Sequence, residues 1–329
     1  MVPVRLVRTL LVFVGVVVAI AGGSALYVTQ PVYSAVRNVS TGAVVAPGRL
    51  HAHVRMLSEA LAPRHAQAPE NLDRVAAYVL KQMIQGGGRV TEQAYTVEGA
   101  GKFKNVIASF GPQQGPRVIV GAHYDSAGPM PAADDNASGV AGLIELGRLL
   151  GQTKLAGRVD LVAFTLEEPP YYGTKHMGSW VHAESLKREG AVVRAMIALE
   201  MIGYFSDAPN SQRFPHPLLG MLYPSTGDFI TVVGRVGQGA LVRQVKKAMQ
   251  RATYLDVYSI TAPSHLTGVD FSDHRSFWSH GYRAVMVTDT AFYRNDRYHT
   301  PRDTHDTLDY ERMAEVVRAV HSAVALLAK

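Results

Sequence analysis

The sequence predicts an α/β fold: a three-layer α/β/α sandwich around a central mixed, mostly parallel sheet. Three observations lead there. Apolar runs of strand length alternate with segments of helical periodicity from about residue 117 onward, as expected for strands joined by crossover helices. Several runs end directly on ionisable residues, at His123, at Glu167-Glu168 and at Glu200, and open α/β sheets bind ligands beyond the carboxyl ends of their strands. Finally, 329 residues with 47% hydrophobic and 18% charged content can bury a substantial core.

Taken in chain order, a first helix is expected over 49–62. A second begins at Asn71 as its cap, carries Leu72, Val75, Val79, Leu80 and Met83 on one face, and stops at Gly86-Gly87-Gly88. Strands are expected at 89–97 and 103–110, then at 117–122, ending at His123. A helix over 136–150 shows Val140, Leu143, Ile144 and Gly147 on one side. Strand 158–166 runs into Glu167-Glu168, a helix covers 174–188, and strand 192–199 runs into Glu200. Residues 204–265 break the rhythm with Pro209, Pro215, Pro217 and Pro224, although they hold a strand (228–233) and a helix (239–251). This stretch is read as an insertion within one domain, covering part of the cleft. A strand at 281–288 precedes a loop carrying His299, and a last helix over 310–327 presents Met313, Val316, Val317, Val320 and Val324.

The first thirty residues stand apart. Arg5 and Arg8 precede the apolar run from Leu10 to Val28, and no further basic residue occurs until Arg37. The run is at the short end of the roughly 17–25 residues that span a bilayer. The charge asymmetry places the remainder of the chain outside the cytoplasm. Residues 1–30 are therefore read as a membrane anchor, with a cleaved signal as the alternative because Gly23-Ser24-Ala25 offers small residues at a cleavage site. In that second case the domain is secreted or periplasmic. Residues 31–48 are read as a linker and 49–329 as the folded domain.

Composition narrows the chemistry. With no cysteine, disulfides, a thiol nucleophile and thiolate-bound metal are excluded, so any metal is held by His, Asp and Glu. The net charge of +6 is not concentrated in a Lys/Arg stripe, and nucleic acid is not expected as a partner.

Each candidate motif has an ordinary reading beside its chemical one. In His123-Tyr124-Asp125, alternation at a strand end sends residues 123 and 125 the same way. Asp125 could then orient a metal-binding His123, or the histidine could simply be hydrogen-bonded. In Asp134-Asp135-Asn136-Ala137-Ser138-Gly139 the acids could stabilise a helix N-terminus, or one could bridge two cations. Glu167 and Glu168 are either solvated loop residues or a pair of repelling carboxylates neutralised by cations. Glu200, flanked by apolar residues, must be paired, metal-bound or shifted in pKa. His299 lies beside the phenol of Tyr298. Imidazoles and carboxylates together favour zinc, with manganese or cobalt as the alternative metals.

The ordered set resembles the co-catalytic di-zinc aminopeptidases of metallopeptidase family twenty-eight, which also include the glutamate carboxypeptidase II group. The resemblance covers about residues 50–329. It is carried by the H-x-D at His123, D-D-N-A-S-G at Asp134, E-E at Glu167, S-D-H-x-x-F at Ser272 and Y-H-T-x-x-D-T at Tyr298. It implies that His123 and Glu200 hold one zinc, that Glu168 and His299 hold the other, and that Asp135 bridges them. Glu167 matches the general base and Asp125 the carboxylate behind the metal. Tyr298 stands where some relatives place a phenol for the oxyanion. Asp273 and His274 are expected to be structural, and Asp303 and Asp306 to shape their loop. Glu200 departs from the commoner aspartate, and Pro169-Pro170-Tyr171-Tyr172 from a glycine-containing loop; the latter is expected to stiffen a wall of the cleft.

The function so implied is hydrolysis of an N-terminal peptide bond, with a peptide as substrate and two Zn2+ per chain as cofactors. Three ligand carboxylates against two divalent ions leave a local charge of about +1. A glutaminyl cyclase, which shares the motif set with a single zinc, is the alternative enzyme. A non-catalytic binding module on the same scaffold is the third reading, and the ligand set does not separate carboxypeptidase from aminopeptidase activity.

Overall fold

The computed structural model describes residues 4–29, 37, 39 and 42–329, so the linker expected at 31–48 lies largely outside the described residues. Helix α1 (Val4–Thr29) is almost wholly apolar, and its span Val4–Tyr27 is long and apolar enough to cross a membrane, with none of it buried by the rest of the chain. Helix α2 (Pro47–Arg55) runs into a wider turn, Met56–Ala60. Helix α3 (Pro69–Gln85) starts two residues before the expected cap. Pro69 opens the helix, where its missing N–H costs nothing and its fixed φ is already helical. Asn71 instead donates its amide to the carbonyl of Pro63 at 3.0 Å.

Among the described residues, eight strands form one sheet: β1 (Arg89–Val97), β2 (Gly101–Phe110), β3 (Arg117–His123), β4 (Arg158–Phe164), β5 (Val193–Glu200), β6 (Phe229–Arg235), β7 (Asp256–Ala262) and β8 (Ala284–Thr288), in the order β1-β2-β4-β3-β5-β8-β6-β7. The pairings β3–β4, β3–β5, β5–β8 and β6–β7 are parallel; β1–β2, β2–β4 and β6–β8 are antiparallel. Helices α4 (Gly139–Gly151), α5 (Gly178–Arg188), α6 (Gly239–Gln250), α7 (His274–Ser279) and α8 (Tyr310–Leu327) complete the fold. The molecule is thus an α/β sandwich around a mixed sheet.

The period of two along the central strands divides the core. Val118, Val120, Leu161, Ile197, Leu199 and Val287 face one layer, built from α2, α3, α4, α6 and α8. Their neighbours Ile119, Val162, Phe164, Met196, Ala198 and Met286 face the other, under α5 and α7. Both faces of the central strands are covered, which is why they read as unbroken apolar runs.

The stretch 204–265 divides in two. Residues 204–228 are irregular apart from the turn Pro217–Met221. Residues 229–262 hold β6, α6 and β7, two strands and a helix of the same sheet. A local reading separates this part because its first strand joins the sheet by antiparallel pairing with β8, which comes more than fifty residues later in the chain.

Candidate metal centre

The carboxyl ends of β3, β4 and β5 lie side by side at the middle of the sheet. His123 is the last residue of β3, Glu167 and Glu168 follow β4, and Glu200 is the last residue of β5. His299 enters on the loop after β8. Leu166, Met201 and His299 have φ of 57°, 49° and 55°, a left-handed conformation costing on the order of 1 kcal/mol each for residues with a side chain. The turns that present these ligands are therefore held by the surrounding structure.

Asp135 stands between two histidines. Its Oδ1 lies 3.4 Å from His123 Nε2 and its Oδ2 lies 3.0 Å from His299 Nε2. Glu200 Oε2 is 3.3 Å from the His123 nitrogen, and Glu168 Oε2 is 3.3 Å from that of His299. Two donor groups result, His123–Asp135–Glu200 and Asp135–Glu168–His299, sharing the one aspartate. Among the described residues, His299 Nε2 and Glu168 Oε1 are buried without an aligned hydrogen bond, so the pair keeps polar atoms free for a further group. Five donors from neutral-imidazole and carboxylate chemistry, converging with unsatisfied atoms, fit a pair of divalent metal ions.

The electrostatics agree with a site built for cations. Burial alone would raise Asp135, but His123 and His299 outweigh it and hold its carboxyl below the usual range. Burial and Asp135 push Glu168 up to about 7, against the pull of His299. Burial raises Glu200 as well, with His123 opposing. Burial would lower His123, yet Glu200, Glu167, Asp125 and Asp135 hold it well above the ordinary range. Too many acids are crowded here for all to ionise without added positive charge.

Glu167 is buried, with Oε2 3.9 Å from His123 Nε2. Desolvation raises its carboxyl well above the usual range, with the acids Glu168, Glu200 and Asp273 adding to the shift and His123 opposing it. Asp125 accepts the amide of Glu167 at Oδ1 (3.1 Å) and that of Glu168 at Oδ2 (3.0 Å), while Oδ1 lies 3.6 Å from His123 Nδ1. One carboxylate thus fixes the backbone of two site residues and lies behind the imidazole of a third. Tyr298 stacks on His299 with centroids 3.8 Å apart and planes at 16°. Burial and the neighbouring carboxylates raise its phenol far above its usual range, which keeps it a proton donor.

The D-D-N-A-S-G segment is stitched to the end of β5. Asn136 Nδ2 donates to Leu199 O at 2.8 Å, and its Oδ1 accepts the amides of Gly139 and Met201. Ser138 Oγ donates to Asp134 O and accepts the amide of Ile202. A Cβ at Gly139 would stand 2.3 Å from Asn136 Oδ1 and 2.7 Å from Leu199 O, so only glycine lets α4 approach this closely. Asp134 turns away from the metal groups, accepting from Gly203 N and Asn295 Nδ2.

Several residues have roles that local sequence signals do not announce. Arg64 is fully buried and donates to four carbonyls, those of Leu57, Tyr124, Pro131 and Ala132. Ser272 Oγ donates to Glu200 Oε2 at 2.7 Å; its place in the S-D-H segment is the one local signal of that contact. Asp303 accepts the amides of Asp134 and Asp135, so it orders more than its own loop, whereas Asp306 is exposed. His274 Nε2 contacts Val269 O at 2.8 Å and packs edge-on against Trp278. Asp273 is buried near His123, and burial raises it to about 7. Tyr172, after Pro169-Pro170, donates to Asp270 O and carries Arg275 over its ring at 4.5 Å, which ties that turn to the segment before α7.

Beside Glu200 and Tyr298 opens an apolar pocket, lined among others by Phe214, Tyr223, Phe229 and Phe292. The fold and the site together define an α/β protein with two His/carboxylate groups at its strand ends that share Asp135 and could hold metal ions. The profile of Peptidase family M28 matches residues 105–324, and the chain belongs to that family. The protein YfbL of Escherichia coli K12, which carries the description uncharacterized, is 49% identical over 289 residues, 85% of this chain and 88% of its own. Leucine aminopeptidase 1 of Ajellomyces dermatitidis is 27% identical over 65% of this chain; the chain spans about half (53%) of that relative's length. Among solved structures, BSAP, a zinc aminopeptidase from Bacillus subtilis, superposes with a TM-score of 0.68 at 15% identity, covering 86% of this chain and 95% of that one. Glutaminyl cyclase of Bacteroides thetaiotaomicron superposes with a TM-score of 0.64 at 18% identity, covering 85% and 97%. At these identities the structural likeness is one of fold.

Proposed function

We propose that this chain is a two-zinc aminopeptidase whose metals are held by His123 and Glu200 on one side, Glu168 and His299 on the other, with Asp135 between them. The observation that carries this reading is the position of Asp135, each of whose oxygens faces a different histidine, each histidine backed by its own glutamate. Zinc held by these residues would supply Lewis-acid chemistry to the site. Glu167 takes the proton of the attacking water and passes it to the leaving amine; burial and the neighbouring acids raise its carboxyl, so it holds a proton more firmly than an exposed glutamate. Tyr298, kept protonated, donates to the developing oxyanion. Asp125 keeps Glu167, Glu168 and His123 in register. The apolar cavity beside Glu200 receives the first side chain of the peptide.

Helix α1 supports the further reading of a retained anchor that holds this domain outside the cytoplasm, with Arg5 and Arg8 at its inner end.

Metal analysis of the full chain, paired with an aminoacyl-nitroanilide panel that includes glutaminyl substrates, tests the reading. Two zinc ions per chain and release of the amino acid, lost with chelator and restored by zinc, are expected. One zinc per chain with formation of pyroglutamate would place the chain with the cyclases instead. Metal binding without turnover would leave a binding module.

A further inference from the structure

The segment between β5 and β6 has two faces. Its inner side gives Phe214, Leu219 and Tyr223 to the wall of the apolar cavity. Its outer side leaves Leu218, Met221 and Leu222 exposed by 61%, 80% and 51%. The 3-10 turn Pro217–Met221 makes this division, since three residues per turn put Leu218 and Met221 on the same side. A cluster of three large apolar side chains at the tip of a surface turn calls for a partner.

The turn lies where the apolar helix α1 meets the domain. The hydroxyl of Tyr223 reaches the carbonyl of Ser259 at 2.6 Å and that of Thr29, the last residue of α1, at 3.0 Å. Ser259 belongs to β7, the outermost strand of the sheet. The chain is tied to the same edge again by Arg37, which donates to Tyr254 O and pairs with Asp256. The exposed cluster is therefore anchored, two residues from Met221, to the end of the segment long enough to cross a bilayer.

We propose that Leu218, Met221 and Leu222 enter the interfacial layer of the membrane beside α1, so that one wall of the substrate cavity is also a lipid-contacting element. The proposal rests on α1 being a retained anchor. Its occupant is a lipid surface because the turn that carries the cluster is fixed through Tyr223 to the end of α1, the apolar helix long enough to cross a bilayer. Amphipathic elements of this kind bury their apolar face about 5–10 Å into the headgroup region. The consequence is that the cavity beside Glu200 and Tyr298 is shaped with the membrane in place, and peptides presented at the bilayer surface are its natural access class.

The chain contains no cysteine, so a single introduced thiol reports one position. The full chain bearing Met221→Cys, labelled with a small environment-sensitive fluorophore, is incorporated into phosphatidylcholine/phosphatidylglycerol vesicles and first checked by flotation. Val192→Cys serves as the control, exposed by 62% and placed just before β5, at the end of the sheet away from the metal centre. A nitroxide on the upper acyl chain should reduce the Met221→Cys emission by roughly twofold or more and leave Val192→Cys unchanged; aqueous iodide should do the reverse. A chain that does not float overturns the anchor reading and this inference with it. A chain that floats while the Met221→Cys label answers only to iodide overturns this inference alone. Energy transfer between labels on separate chains, without nitroxide quenching, would assign the face to a second copy and also overturn it.

Discussion

Asp303 accepts the amide of Asp134 at Oδ1 (2.9 Å) and the amide of Asp135 at Oδ2 (3.1 Å). The backbone of the residue between the two histidines is thus set by a carboxylate far along the chain. Asp125 does the same for Glu167 and Glu168. In Asp303→Asn one of the two accepting oxygens becomes an NH2 group that faces a backbone N–H. Metal affinity should fall by about 10–100-fold, read by competition with a chromophoric chelator. Unchanged affinity would remove Asp303 from the site's support.

Glu167→Gln keeps the size of the side chain and the hydrogen bonds of Asp125 to its amide. It should retain its metal and its melting temperature while kcat drops by about 10²–10⁴-fold. Steady-state kinetics and metal analysis on one preparation decide this, and a wild-type kcat would sink the assignment of the base.

Ser272→Ala removes the hydroxyl that donates to Glu200 Oε2. Only the His123–Glu200 group should weaken, by about tenfold. Stepwise chelation should then release one ion earlier than in the wild type and the other at the same chelator concentration. Loss of both together would mean that the serine acts on the fold rather than on Glu200.

Arg64→Lys replaces four fanned donations by a compact ammonium that cannot reach all four carbonyls. Burial lowers Arg64 only to about 10, so it is charged at neutral pH. Leaving buried carbonyls unmet should cost about 3 kcal/mol, measured as a lower urea midpoint at constant slope. A variant as stable as the wild type would show that water takes over the lost contacts.

His182 lies near Phe164 and Phe277, and burial lowers its imidazole to about 4 from an ordinary 6.5. The unfolded chain therefore binds this proton more readily. The stability His182 contributes is present above about pH 6.5 and is lost as pH falls toward 4, by up to about 3 kcal/mol. Asp273 and Asp303, raised to about 7, act in the opposite direction, because acidification favours their folded, protonated form. Urea unfolding of wild type and His182→Gln isolates the contribution of the histidine: the advantage of the wild type should shrink on acidification. A difference independent of pH would contradict it.

Much of the molecule is legible locally. The strand and helix periods mark nearly every element, and α8 spans Tyr310–Leu327 as its apolar spacing indicates. Helix α3 starts ahead of its expected cap because Pro69 competes with Asn71 for the role of opener, and a fixed φ at the first turn prevails. The expected insertion is divided because β6 finds its partner in β8, a pairing that local composition does not encode.

Residue types, order along the chain and the absence of cysteine determined by themselves that any metal would be met by imidazoles and carboxylates at strand ends. The motif resemblance implied which residues pair, and tertiary structure decided which of their atoms face one another, because each comes from a different strand or loop and their convergence depends on the sheet order. It also decided the supporting contacts. Ser272 and Asp303, and Arg64 in three of its four contacts, act through hydrogen bonds across 60 or more residues, distances over which no local pattern constrains where a side chain points.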